Sequence, residues 1–121
     1  MQITIYHNPR CSKSRQTLAL LTEHGVEPRI VHYLDQPPQP AEMLRLANAL
    51  REPVRSLLRE NEDEFIAARD SLDLDDAPAV AAWLADHPRV LQRPIVIDEA
   101  SGNAVMGRPP ENVLGLLRSG N

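Results

Sequence analysis

The chain has 121 residues, of which 42% are hydrophobic, and its 13 Lys and Arg against 17 Asp and Glu give a formal net charge of −4. This length predicts one domain, 1–121, and the acidic balance argues against a protein that binds nucleic acid chiefly through phosphates. No apolar run approaches the roughly 20 residues that cross a bilayer, and the N-terminus is unlike a signal peptide, so we expect a cytoplasmic protein that does not bind membranes.

The first 34 residues predict a strand, a loop, a helix and a second strand. Residues 2–6 alternate polar and apolar side chains, and Pro9 then breaks the pattern. A helix is predicted from about Ser12 to His24, closed by Gly25, and residues 29–34 form the next strand. Two strands joined by a helix prefer to pair in parallel.

The middle of the chain, about 40–88, predicts a helical insertion. Pro40 can begin a helix with one apolar stripe, and a shorter helical piece covers 54–58. The acidic run 60–64 is typical of a solvated helix start rather than a metal site. Asp75 or Asp76 can cap a further helix that ends at His87-Pro88.

The last part of the chain predicts a hairpin followed by a helix. Residues 94–97 form an apolar strand, 101–103 supply a turn, and 104–106 form the returning strand. Gly107-Arg108-Pro109-Pro110 then opens the final helix. The predicted fold class is α/β, with a four-stranded mixed sheet, flanking helices and the helical insertion between the second and third strands.

Cys11 is the only cysteine. A single cysteine permits no intramolecular disulfide, no CxxC redox pair and no cysteine-rich zinc site. The four histidines share no ligand spacing, so no metal is expected. If Cys11 does redox chemistry, the second thiol must come from another molecule.

The position of Cys11 favours a reactive thiolate. It lies where a strand has ended and a helix begins, and helix N-terminal N–H groups stabilise an anion. Arg10, Lys13 and Arg15 crowd the same loop. The alternative is an inert, buried cysteine, for which these polar, cationic neighbours are a poor setting. The loop could also bind an oxyanion, although the tyrosine phosphatase signature fails at Thr17, where it needs arginine.

Arg59, Arg93 and Arg108 each lie next to a structural break. They could be ordinary surface groups, or they could converge on Cys11, where their planar donors would suit a tetrahedral oxyanion. His7 closes the strand that leads into the cysteine loop. It could stabilise the thiolate or simply pack there.

Several motifs together resemble the glutathione/glutaredoxin-coupled arsenate reductase family. They are His7-Asn8-Pro9-Arg10-Cys11-Ser12-Lys13-Ser14-Arg15, Arg93-Pro94-Ile95-Val96 and Gly107-Arg108-Pro109, and the similarity extends over nearly the whole chain. The resemblance implies a thioredoxin-like fold with a cis-proline at Pro94.

The resemblance also implies roles for particular residues. Cys11 is the nucleophile and His7 lies near its thiolate. The oxyanion is held by three arginines and by two residues of the cysteine loop (Arg59, Arg93, Arg108, Ser14, Arg15).

The implied reaction reduces arsenate to arsenite. The Cys11 thiolate attacks arsenate, glutathione adds to the arsenic as co-substrate, and glutaredoxin removes the glutathione as a mixed disulfide. No bound cofactor is expected, and the single cysteine fits this route.

Two alternatives stay open. This chain has Ser12 and Lys13 where the best-studied branch has a glycine-containing stretch, so it could be a glutathione-dependent oxidoreductase acting on a mixed disulfide or another oxyanion. It could instead be a non-catalytic, transcription-related interaction protein, although such relatives often carry CxxC, whereas the second position here is Ser14.

Overall fold

The computed structural model describes residues 1–119, in which the chain divides into two compact units. One unit joins Met1–Tyr33 to the chain from Arg93 onward, and the other is Leu34–Gln92. The predicted insertion of about 40–88 lies inside the second unit. The description of 1–121 as a single domain stays a prediction.

The first unit, called the sheet unit, contains a four-stranded mixed sheet in the order β2-β1-β3-β4. Its elements are β1 (Ile3–His7), α1 (Ser12–Glu23), β2 (Arg29–His32), β3 (Ile95–Asp98), β4 (Asn103–Met106) and α5 (Asn112–Ser119). β1 pairs in parallel with β2 and antiparallel with β3, which pairs antiparallel with β4. The predicted α/β fold class is therefore confirmed, including the hairpin and the parallel pair.

The core of the sheet unit lies between the central strands and the two helices. β1 and β3 are buried along their whole length, as expected for interior strands rich in isoleucine and valine. A buried apolar cluster joins these strands to α1 and α5 (Ile3, Ile5, Leu21, Val96, Val113, Leu116). This packing orients the N-terminus of α1, where Cys11 is the N-cap residue.

The second unit, called the helical unit, contains α2 (Pro40–Leu50), α3 (Asp63–Ala68) and α4 (Ala77–Asp86), with 3₁₀ turns at Val54–Leu57, Arg69–Ser71 and Pro88–Val90. α2 packs against α4. Of the two candidate caps, the structure selects Asp76, whose carboxylate accepts the N–H of Ala79 at 3.2 Å.

Several predicted boundaries differ from the structure by one or two residues; β1 and β3, predicted at 2–6 and 94–97, lie at Ile3–His7 and Ile95–Asp98. β2 ends at His32 rather than Leu34, because its ladder partner β1 ends at His7, which is the register partner of His32. α1 ends at Glu23, and Gly25 follows with a φ of +75°, a conformation that glycine adopts without steric cost. No helix in residues 1–119 is long and apolar enough to cross a membrane.

Candidate active site

The register of the sheet brings three chain segments to one end of it. Tyr6 of β1 is paired with Ile95 of β3, and Ile95 with Met106 of β4. The loop after β1, the two residues before β3 and the loop after β4 therefore meet at this end. They carry Cys11, Arg93 and Arg108, so the sheet unit brings together two of the three predicted arginines and the cysteine.

Hydrogen bonds fix the loop that carries Cys11. Its N–H donates to the Asn8 carbonyl at 3.0 Å, and the Arg10 N–H donates to the Asn8 side chain at 3.0 Å. Arg15, exposed on the first turn of α1, donates from Nη1 to the Pro9 carbonyl at 3.0 Å. The loop is thus closed by local bonds, as its Asn-Pro sequence predicts.

The Cys11 thiol is partly exposed and its pKa is lowered. Burial on its own would raise the pKa, but the N–H groups of Ser14 and Lys13 and the guanidinium of Arg93 favour the thiolate, and together they outweigh burial. This balance combines a helix N-terminus with a nearby cation. Cys11 is therefore placed to act as a nucleophile.

The two arginines of this site differ in how they contact Cys11. Arg93 is the guanidinium that lowers the thiol pKa, whereas Nη1 of the exposed Arg108 reaches Sγ only at 3.9 Å. Arg108 Nη1 also donates to the Arg93 carbonyl at 3.1 Å, which ties the two residues together.

Arg93 has a donor that no described residue engages. Its Nε is buried, and none of the acceptors in residues 1–119 hydrogen-bonds to it. A buried donor normally has a partner, so this atom is well suited to an oxygen of a bound anion. The peptide bond from Arg93 to Pro94 is cis, as the resemblance implied.

His7 and Ser14 form a buried pair beneath the cysteine loop. His7 Nδ1 lies 2.6 Å from Ser14 Oγ, which also accepts the Asn8 N–H at 3.1 Å. Burial, and then electrostatic repulsion from His32 and Arg15, lower the pKa of His7 and favour its neutral form. The serine hydroxyl is therefore engaged inside the protein, while its main-chain N–H faces the thiolate.

Arg59 lies in the helical unit. Its Nη1 donates to the carboxylate of Glu62 at 3.1 Å. The oxyanion-binding roles of Arg59, Arg93, Arg108, Ser14 and Arg15 stay predictions.

Two residues near the site were not singled out from the sequence as site residues. Thr17 and Asn112 both hydrogen-bond to the loop that carries Arg108. No sequence motif marks Thr17, because its loop partner lies 90 positions away. The partners of Asn112 are local, six and four positions before it. In residues 1–119, no cluster of His, Cys, Asp and Glu is arranged to hold a metal ion.

The model of the ArsC family matches residues 6–116 of this chain. The chain belongs to the ArsC family. The match includes the cysteine loop, Arg93 and Arg108, so the ArsC assignment and the site geometry concern the same residues.

Individual ArsC relatives match along nearly their whole length. A protein of Escherichia coli (strain K12), named uncharacterized protein YfgD, is 45% identical and covers 96% of this chain and 97% of its own. A protein of Neisseria meningitidis serogroup A, named arsenate reductase, is 42% identical, with 96% and 98% covered. A solved structure described as arsenate reductase from Vibrio cholerae superposes with a TM-score of 0.87 at 40% identity, covering 95% and 97%. The fold is thioredoxin-like, as the resemblance implied.

Proposed function

We propose that this protein is an arsenate reductase that uses glutathione and glutaredoxin as electron donors. The observation that carries the proposal is the Cys11 thiol with lowered pKa, held at the N-terminus of α1 beside Arg93 and Arg108. Relatives that cover 96% and 97% of this chain and are named arsenate reductase support the substrate. The coupling to glutathione and glutaredoxin rests on the resemblance and on the single cysteine.

The reaction begins with nucleophilic attack by Cys11. The thiolate forms a bond to arsenic, and one arsenate oxygen leaves as water after protonation. Arg93 and Arg108 stabilise the negative charge on the remaining oxygens, and Arg59 is proposed as the third such group. Preorganised guanidinium donors are effective here because they are held in place before the charge develops.

The next steps require thiols from other molecules. A glutathione thiolate bonds to arsenic and displaces a second oxygen as water. A glutaredoxin thiolate then attacks the glutathione sulfur, so the As–S electron pair stays on arsenic, which passes from As(V) to As(III), and a glutaredoxin–glutathione disulfide leaves. Hydrolysis of the remaining As–S bond releases arsenite and the Cys11 thiol. The reaction needs reduced glutathione, which keeps thiols reduced in the cytoplasm, so the cytoplasm is the proposed location.

The direct test is arsenate-dependent NADPH oxidation with glutathione, glutathione reductase and glutaredoxin. We expect turnover by the wild-type protein and none by Cys11→Ser. Arg59→Ala, Arg93→Ala and Arg108→Ala, made singly, should raise the KM for arsenate. No wild-type turnover with active glutaredoxin would overturn the arsenate assignment. Deglutathionylation of a mixed disulfide, measured in parallel, would then favour the alternative oxidoreductase.

A further inference from the structure

The loop that carries Arg108 is held by side chains from two helices. We call residues 106–109 the Arg108 loop. Asn112, at the start of α5, donates from Nδ2 to the Met106 carbonyl at 3.0 Å and to the Arg108 carbonyl at 3.3 Å. Thr17 of α1 donates to the carbonyl between them, that of Gly107, at 3.3 Å. Three successive carbonyls are therefore engaged by two side chains.

The Thr17 hydroxyl contacts carbonyl groups both in its own helix and in the Arg108 loop. It is buried, and its single hydrogen is shared between the Gly107 carbonyl at 3.3 Å and the Lys13 carbonyl at 2.8 Å, one turn back in α1. Thr22, in the same helix, makes the equivalent local bond to Leu18 at 3.0 Å but is exposed. Both hydroxyls thus make the bond that threonine often makes inside a helix. The hydroxyl of Thr17 additionally reaches the Arg108 loop.

Gly107 brings the loop backbone against α1 and against the start of β3. A Cβ built on Gly107 would lie 2.5 Å from Thr17 Oγ1 and 2.7 Å from Pro94 Cγ. Its N–H donates to the Pro94 carbonyl at 2.9 Å. The loop therefore has one close-packed position relative to both segments that form the site.

We propose that Thr17 and Asn112 are positioning residues that hold the Arg108 loop so that the Arg108 guanidinium faces Cys11. The Arg108 side chain is exposed, and within residues 1–119 its guanidinium donates to the Arg93 carbonyl and, at 3.9 Å, to Cys11 Sγ. A long side chain with so few anchors depends on the position of its own backbone. The inference rests on the proposed function only in that Arg108 binds the substrate oxyanion.

The test compares two alkylating reagents at Cys11, one anionic and one neutral. Cationic groups near the thiolate speed the reaction of iodoacetate relative to that of iodoacetamide, and neither reaction needs arsenate. We expect Arg108→Ala to lower the ratio of the two rates by roughly two- to fivefold. Thr17→Val and Asn112→Ala should each lower it in the same direction, whereas Thr17→Ser should keep it.

Two comparisons separate positioning from a general loss of structure. Thr22→Val removes a hydroxyl from the same helix and should leave the ratio unchanged. In the Arg108→Ala background, Thr17→Val and Asn112→Ala should produce no further decrease, because their effect passes through Arg108. If Thr17→Val fails to fold, the exposed Asn112 provides the deciding variant.

The proposal is overturned if Arg108→Ala leaves the ratio of the two rates unchanged, or if neither Thr17→Val nor Asn112→Ala lowers it. It is also overturned if these two variants lower the ratio as much in the Arg108→Ala background as in the wild-type protein. The KM for arsenate is a second readout, which should rise in Thr17→Val and Asn112→Ala with little change in kcat. If the wild-type protein does not turn over arsenate but the variants change the alkylation ratio as expected, the proposed substrate is rejected and the positioning role is kept.

Discussion

The lowered pKa of Cys11 results from opposing contributions of individual groups. Burial favours the neutral thiol, whereas the first N–H groups of α1 and the Arg93 guanidinium favour the thiolate. The N–H groups come with any helix that begins at Ser12, so every cysteine at this position would have them. The contribution of Arg93 comes from its side chain, so a single substitution can remove it.

We expect Arg93→Ala to raise the pKa of the Cys11 thiol, because the thiolate loses the guanidinium that favours it. The thiolate is the species that reacts with iodoacetamide. The inflection of the rate against pH should therefore move to higher pH, with slower reaction below it and equal rates well above it. Arg29→Ala, at the opposite end of the sheet, is the control. An unmoved inflection in Arg93→Ala would contradict this account.

The buried hydroxyl of Ser14 holds the cysteine loop by hydrogen bonds to the Asn8 N–H and to His7 Nδ1. Ser14→Ala leaves the buried Asn8 N–H and His7 Nδ1 without the partner they have now. We expect the free energy of unfolding, measured by urea denaturation, to fall by about 1–3 kcal/mol. Ser12→Ala, at an exposed position of the same turn, should change it little. Equal stability of the two variants would show that the hydroxyl of Ser14 is not needed.

At the scale of elements, α4 shows how local sequence defines a helix start. Asp75 and Asp76 are adjacent and chemically equal, but only Asp76 accepts a helical N–H, from Ala79. Asp75 instead forms an exposed ion pair with Arg55 at 3.1 Å, its side chain 89% exposed. The two aspartates therefore make a matched pair for substitution.

We expect Asp76→Ala to lower the free energy of unfolding by about 1 kcal/mol, since the first turn of α4 loses its cap. Asp75→Ala removes only a solvent-screened ion pair and should cost roughly 0.5 kcal/mol or less. Chemical denaturation monitored by Trp83 fluorescence measures both. Asp76→Asn should restore most of the loss because asparagine also caps helices. A larger effect at Asp75 would contradict the assignment.

At the scale of the whole molecule, charge is distributed unevenly along the chain. The net charge is −4, yet no Asp or Glu occurs before Glu23, while Arg10, Lys13 and Arg15 surround Cys11. An acidic protein therefore presents a cationic loop at its candidate active site. Such a local field attracts anions in spite of the overall charge.

We expect added sodium chloride to raise the KM for arsenate while kcat changes little. Increasing the ionic strength from about 0.01 to 0.15 M shortens the Debye length from ~30 to ~8 Å and screens the exposed cations of the loop. Steady-state assays over this range measure the effect. Arg15→Ala should reduce the slope of KM against salt, and a KM independent of salt would contradict the electrostatic attraction.

Prediction from sequence succeeded where the determining interactions are local. Alternation in residues 2–6, the break at Pro9 and the proline at Pro40 are read within a few positions, and each predicted a strand, loop or helix that the structure contains. The end of β2 was predicted two residues late, because a strand ends where its ladder partner ends, and that partner is not visible in its own sequence.

The sequence by itself determined the order of elements and the placement of a lone cysteine at the start of a helix, because capping, turn chemistry and side-chain periodicity act over a few residues. Only the tertiary structure decided which distant groups meet there. Antiparallel pairing of β3 with β1 and β4 brings Arg93 and Arg108 to Cys11, and Thr17 finds its partner 90 residues away. Strand order and register fix such distances, and both result from packing of the whole sheet unit.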